Sequence, residues 1–547
     1  MPKASTNPSL RSRLALAILS LLAALWAAAA VADDEQNAGQ PKFDIWEYQV
    51  TGSSKLGVEA VEKAVYPFLG EGKTLADVQK AAEALEKAYR DAGYASVVVS
   101  IPEQSVSRGL VEISVTEGRV EHVRVTGSKY YSPERILAQV PALTEGSVTD
   151  FNALQEQLAT LGHSPDRRVQ PLLRPGHEPG TTDVELKVDD SLPLHGSVEF
   201  NNHYSPSRAP NPGDYRLSGT VRYDNLWQRE HSFSASYLTS PGHTEEAKVT
   251  SLSYSLPMSG VDEMLTVYGV RSNSNSDLTT SLAGTNVIGR GDILGLRLAE
   301  PIRSVSGVNH GLTFGLDYKH LQEDLTQQSG GTYPTPLTYW LGSLQYGGGL
   351  PSFDGDSSFG LGGLLSVRGM RNNEDEFAGK RYKGQGNFGV LQWNLQRVQH
   401  LPAKFDLTAR AEGQFASLPL PSSEEYAIGG AASVRGYPEA TQVGDHGLRG
   451  LIELRTPNLI DTEEPWGDLR LLVFLDGAQV RVLDPLPGQL SRFTLASRGI
   501  GLRFATRHGV ALSLDYGRRM KDGLTTDTHG PVTRGSGKLH FNLGFQL

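Results

Sequence analysis

No cysteine occurs among the 547 residues, so disulfides, zinc–thiolate sites, iron–sulfur clusters and a catalytic thiol are excluded. Apolar residues are scarce at 38%, and the single long apolar run, residues 14–32, lies near the N-terminus. Downstream of it no stretch approaches the roughly 18 apolar residues of a membrane-spanning helix. A mature chain lodged in a membrane would have to close into a barrel. An excess of positive charge is missing too. Lys and Arg number 51 against 61 Asp and Glu, the reverse of a nucleic-acid-binding footprint. Also absent are a nucleophile elbow, a Walker A loop, a His-Glu-x-x-His pair and an EF-hand loop. The 14 His are scattered without metal-ligand spacing. Gly535-Ser536-Gly537-Lys538 imitates only part of a phosphate loop, and Arg290-Gly291-Asp292 opens an expected strand. No enzyme activity, cofactor, metal, nucleotide or nucleic-acid partner is expected.

What the chain does have is 60 Gly, 30 Pro and 43 aromatic residues (20 Tyr, 17 Phe, 6 Trp) spread along its length. That much glycine disfavours a helical bundle, and the aromatics argue against disorder. A turn-rich β protein remains. At the start, Lys3, Arg11 and Arg13 precede the apolar run, which ends Ala30-Val31-Ala32 before Asp33-Asp34-Glu35. This pattern reads as a cleaved secretory signal peptide over residues 1–32; an uncleaved anchor is the alternative, because 19 residues nearly span a bilayer. Cleavage removes three basic residues and no acid, taking the net charge from −10 to −13. Residues 33–42 form a polar linker.

Two similar segments follow. In the first, Ile45 to Val50 reads as a strand, 57–68 and 75–91 as helices, and 95–101 and 110–115 as strands. Leu75, Val78, Ala82, Leu85 and Tyr89 make one apolar helix face. Val50-Thr51-Gly52-Ser53 then returns as Val125-Thr126-Gly127-Ser128. After it come helices over 132–139 and 150–161 and strands over 168–173 and 184–188. One element order is repeated, which points to tandem domains over residues 43–118 and 119–190.

From 191 to 547 the periodicity is two. Val510, Leu512, Leu514 and Tyr516 alternate with Ala511, Ser513 and Asp515; Leu539, Phe541, Leu543 and Phe545 alternate with Lys538, His540 and Asn542. Such dyads of about ten residues mark outer-membrane strands. A soluble β-sandwich also alternates, but would not account for the export signal and a chain ending inside a strand. Strand starts fall near 194, 213, 230, 245, 263, 288, 308, 334, 356, 385, 403, 446, 469, 493, 508 and 537. Short connections (257–262, 505–508) belong on the periplasmic side and long ones (272–287, 418–445, 519–537) outside.

Several motifs carry a family resemblance. Gly93-Tyr94, Pro102-x-Gln104, Gly109-Leu110 and Glu117-Gly118-Arg119-Val120 resemble the first POTRA domain of two-partner secretion transporters. Pro175-Gly176 and Gly180-Thr181-Thr182-Asp183 resemble their second. Gly429-Gly430 followed by Val434-Arg435-Gly436-Tyr437 resembles the family's loop motif, and Phe474-Leu475-Asp476 its Phe-x-Asp element. The haemolysin and filamentous-haemagglutinin transporters belong to this family. The resemblance implies a membrane β-barrel of about 16 antiparallel strands preceded by two periplasmic α/β POTRA domains, in the outer membrane of a Gram-negative bacterium. It implies that the loop near 418–445 folds inward, that Gly429 and Gly430 let it bend, and that Arg435 pairs with Asp476 beside Phe474 in the lumen. Tyr437 would lie on the lumen wall with its hydroxyl in water. Ser366-Val367-Arg368-Gly369 is a partial copy lacking the Gly-Gly and the Tyr, and reads as a strand end. Partners implied are a large secreted β-helical exoprotein held unfolded by the POTRA domains, outer-membrane lipid, and the barrel-assembly machinery. Some family members plug the lumen with an N-terminal helix, for which ten residues ahead of the first POTRA leave no room. A factor that inserts outer-membrane proteins, a passive pore and a barrel enzyme are the competing readings; tandem POTRA repeats weigh against the last two.

Overall fold

The computed structural model describes residues 41–547 except 107, 163, 204–214, 245–246, 259–262, 274–279, 283–284, 288–289, 306, 327–331, 353, 368, 370–372, 461–465, 524–525 and 528–529. The expected signal peptide and most of the linker lie outside the described residues. Two compact units meet at Leu192 and Pro193.

In the first unit the same construction appears twice. Strand Glu47–Thr51 runs parallel to Leu110–Glu117, which also pairs antiparallel with Val97–Ser100. Helices Val58–Val65 and Leu75–Asp91 cover one face, and the buried residues of the longer helix, including Val78, Leu85 and Tyr89, repeat at helical spacing. A capping box between Thr74 and Asp77 starts that helix. A short pair, Phe43–Ile45 with Gly70–Lys73, was not expected from the sequence, because two glycines in four residues give no strand signal. In the second copy Arg119–Thr126 runs parallel to Thr181–Asp190, which pairs with Arg167–Pro175. Helices Pro133–Ala138 and Phe151–Leu161 pack on this sheet.

The repeated Val-Thr-Gly-Ser has a mechanical cause. Gly52 and Gly127 have φ of +81° and +84°, and a Cβ on either would strike a carbonyl of the central strand, that of Val115 or Val188. An acid ending that central strand then caps the turn. Glu117 accepts from the Ser54 and Lys55 N–H groups at 2.6 and 2.8 Å. Asp190 accepts from those of Lys129, Tyr130 and Tyr131.

The second unit is a closed barrel of sixteen antiparallel strands, each hydrogen-bonded to its sequence neighbours. Every expected start lies within three residues of an observed one. Numbered along the chain, strands 7 and 8 are Val308–Thr326 and Thr332–Ser352; 11 is Phe405–Ala416; 12 to 16 are His446–Arg455, Gly467–Arg481, Arg492–Thr506, Val510–Arg519 and Gly537–Gln546. Strand 16 closes on strand 1, Leu194–Asn201, from Asn542↔Asn201 to Gln546↔Ser197. Leu471, Val473 and Leu475 face outward and are exposed, as a lipid-facing band requires; Leu472, Phe474 and Asp476 between them are buried inside.

Candidate functional site

Residues 417–445, between strands 11 and 12, turn into the lumen. Gly429, Gly430 and Gly436 have φ of +102°, +111° and +92°, a region open to glycine at little cost. A side chain on Gly436 would meet the Gly517 carbonyl, and one on Gly517 would meet the Arg435 main chain. The loop tip thus lies backbone to backbone on strand 15.

Arg435 is 3% exposed. Its Nε and Nη2 donate to the two oxygens of Asp476 at 2.8 and 2.9 Å, and its main-chain N–H donates to Oδ2 at 3.0 Å. This fork fixes the angle of the loop. The guanidinium carbon is 3.4 Å from the centre of the Phe474 ring, so the cation stacks on the aromatic face. Phe474 and Asp476 are two apart on strand 13 and therefore share its inner face.

The arginine has further partners that the motif did not disclose. Nη1 donates to Glu453 on strand 12 at 2.6 Å and lies 3.5 Å from Asp515 on strand 15. Glu453 also takes Arg455 at 2.6 Å, and Asp515 takes Arg503 in a fork of 3.0 and 2.8 Å. Three carboxylates thereby face three guanidinium groups, which compensates the burial of the carboxylates and of Arg435. Gly436 donates its N–H to His540 Nε2 on strand 16 at 2.9 Å, and its carbonyl accepts from Arg519 at 2.5 Å. Glu453, Asp515 and His540 are inward on their strands, a parity readable from the sequence. Choosing them among all inward polar residues required the barrel register.

Tyr437 corrects an expectation. It is fully buried, and its hydroxyl donates to the Lys521 carbonyl at 2.7 Å, with that of Ala496 at 3.0 Å, and accepts from the Lys521 N–H. Main chain, not water, satisfies it. Val434 packs with Ile428, Ala478 and Val480. Of the partial copy, Ser366 ends a strand and donates to the Gly386 carbonyl at 3.1 Å; Arg368 lies outside the described residues.

A family model described as haemolysin secretion/activation protein ShlB/FhaC/HecB matches residues 180–504. The chain belongs to this family. A second model, the ShlB-type POTRA domain, matches residues 43–118. Relatives of this ShlB/FhaC/HecB member include the outer membrane transporter CdiB of Dickeya dadantii, 22% identical over 428 residues, 74% of this chain and 71% of the relative. The heme/hemopexin transporter protein HuxB of Haemophilus influenzae is 23% identical over 416 residues, with the same shares covered. Among solved structures, CdiB from Escherichia coli superposes with a TM-score of 0.63 at 20% identity, each chain covered in full. BamA from Haemophilus ducreyi lacking POTRA domains 1–3 gives 0.55 at 13%, covering 93% of this chain and all of that one; a likeness at these identities is one of fold. The chain is therefore a two-partner secretion transporter of the outer membrane, with a POTRA domain ahead of its barrel.

Proposed function

We propose that this transporter binds an unfolded exoprotein through two POTRA domains, 43–118 and 119–190, and passes it through a barrel whose lumen loop is latched by Arg435 and Asp476. Deletion of residues 43–118 tests the first half: export should stop while the barrel still inserts, and undiminished export would sink the reading. The observation that carries it is that each copy presents an outer strand of its sheet that bears exposed apolar side chains. Among the described residues Val97–Ser100 and Arg167–Pro175 are each an outer strand of a three-stranded sheet, and Val98, Leu172 and Leu173 are exposed on them. A chain adding there as a strand would be held by main-chain hydrogen bonds, which tolerate many sequences. The cargo is read as a large β-helical exoprotein, and insertion as the work of the barrel-assembly machinery in outer-membrane lipid. The protein is read as a conduit and not a catalyst. Insertion of other outer-membrane proteins is the second reading, favoured by the likeness of fold to BamA.

A further inference from the structure

The Arg435 latch sits at the tip of the loop. Its base is tied elsewhere. Lys319 on strand 7 donates from Nζ to Glu424 Oε1 at 2.6 Å, and both side chains are 5% exposed. Tyr339, the cross-strand neighbour of Lys319 on strand 8, donates its hydroxyl to the same oxygen and lies 2.9 Å from Ser423 Oγ. The Glu424 carbonyl accepts from Gln414 on strand 11 at 2.8 Å. Just before, Leu420 is fully buried beside Phe377, which comes from the helix Glu374–Lys380 of another outer connection.

Strands 7 and 8 lie eight places from strands 15 and 16 in a ring of sixteen. They are opposite walls. The loop is fixed at Glu424 to strands 7 and 8, at Arg435 to strands 12 and 13, and at Gly436 to strands 15 and 16 opposite, so it crosses the lumen between Glu424 and Gly436. Neither tie can move the loop out of the way while the other holds. A buried carboxylate with one cation and one phenol as partners is not a packing residue, since a charge taken from water needs such compensation to be there at all.

We propose that Lys319 and Tyr339 are positioning residues of a second latch, which holds the base of the loop independently of Arg435 and must open with it before a chain can pass. This rests on the reading of the loop as the gate, yet the latch itself is tested without cargo, and export is measured only to test the gate reading. Full-length protein would be placed in planar bilayers and its open-state frequency recorded for Lys319→Met, Glu424→Gln, Lys319→Arg and Arg435→Ala. Because the chain has no cysteine, an Ala427→Cys background also reports exposure of the loop base to a membrane-impermeant thiol reagent added to cells.

Lys319→Met and Glu424→Gln should each raise the open-state frequency and the labelling rate about tenfold or more, as loss of one partner from a buried pair implies. Lys319→Arg, which keeps the cation, should restore most of the closed state. Combined with Arg435→Ala, the effects on frequency should multiply, as for separate ties. Wild-type frequency and labelling in folded Lys319→Met and Glu424→Gln would overturn the proposal, and so would a double variant no more open than Arg435→Ala alone. Glu424 lies in the loop and outside the barrel wall, so its variant keeps the test decisive if Lys319→Met fails to insert. If both variants open the pore but export is unchanged, the second latch stands and the gate reading falls.

Discussion

Arg435 is shared, and sharing makes its removal unlike that of its partners. Arg435→Ala leaves Asp476 and Glu453 facing each other with one cation fewer, and a buried pair broken in this way loses about 3–5 kcal/mol. Asp476→Asn leaves the guanidinium still bound to Glu453 at 2.6 Å and keeps a hydrogen-bond acceptor, so its loss should be roughly half as large. We expect secretion to fall further for the first than for the second, and the double variant to match Arg435→Ala. Exchanging the two charges should not rescue export, because it would put a carboxylate at the loop position that Glu453 contacts. Exoprotein collected from the medium, set against barrel content of the membrane, measures all four. Equal losses for the two single variants would show that Glu453 does not share the load.

At the scale of elements, each POTRA-like copy depends on an acid closing the turn after its positive-φ glycine. Burial would raise the pKa of Glu117, but hydrogen bonds from the Ser54 hydroxyl and from the Ser54 and Lys55 N–H groups outweigh it and hold the carboxyl below its ordinary range. A group with a depressed folded pKa stabilises above its unfolded value, about 4.3 for Glu. That contribution is lost as pH falls through the folded value. Glu117→Gln should therefore lower hydrogen-exchange protection at Ser54 and Lys55 at pH 7, by an amount worth about 1–2 kcal/mol. The gap from wild type should narrow below about pH 4. A gap that stayed constant with pH would mean that shape, not charge, holds the turn. The repeat and all sixteen strands were legible in the sequence because each rests on local signals, a fixed offset and a period of two, whereas the turn and the acid that caps it come from opposite ends of each copy along the chain and their pairing was not. The Arg435–Asp476 pair was suggested only by family resemblance. Glu453, His540 and the Lys319–Glu424 tie were not legible, since contacts between strands far apart in sequence depend on register and on the path of a 29-residue loop (417–445). Nothing local encodes that path.

For the whole molecule the question is what drives a chain through a loop-crossed barrel. The sequence carries no nucleotide-binding motif, and the outer membrane offers no nucleotide to use. We propose that opening of the lumen is driven by the cargo itself. Binding along the proposed sheet edges would supply part of the free energy, but contacts made on the way in must be broken on the way out, so they would favour entry without favouring exit. A directional term has to act beyond the barrel, and we propose that folding of the exoprotein outside supplies it, because a folded chain could not slide back past the loop. This argument predicts that a cargo variant able to bind but unable to fold will stop inside. With no native cysteine in the transporter, a thiol introduced at the inward Gln392 position, which bonds the inward Gln414, and paired with single cysteines along the cargo, would trap the stalled chain as an intermolecular disulfide once a two-electron thiol oxidant is added. Wild-type cargo should give a trace of that product and the non-folding variant most of it. Export of the non-folding variant at the wild-type rate would place the driving force elsewhere, in the periplasmic binding step alone.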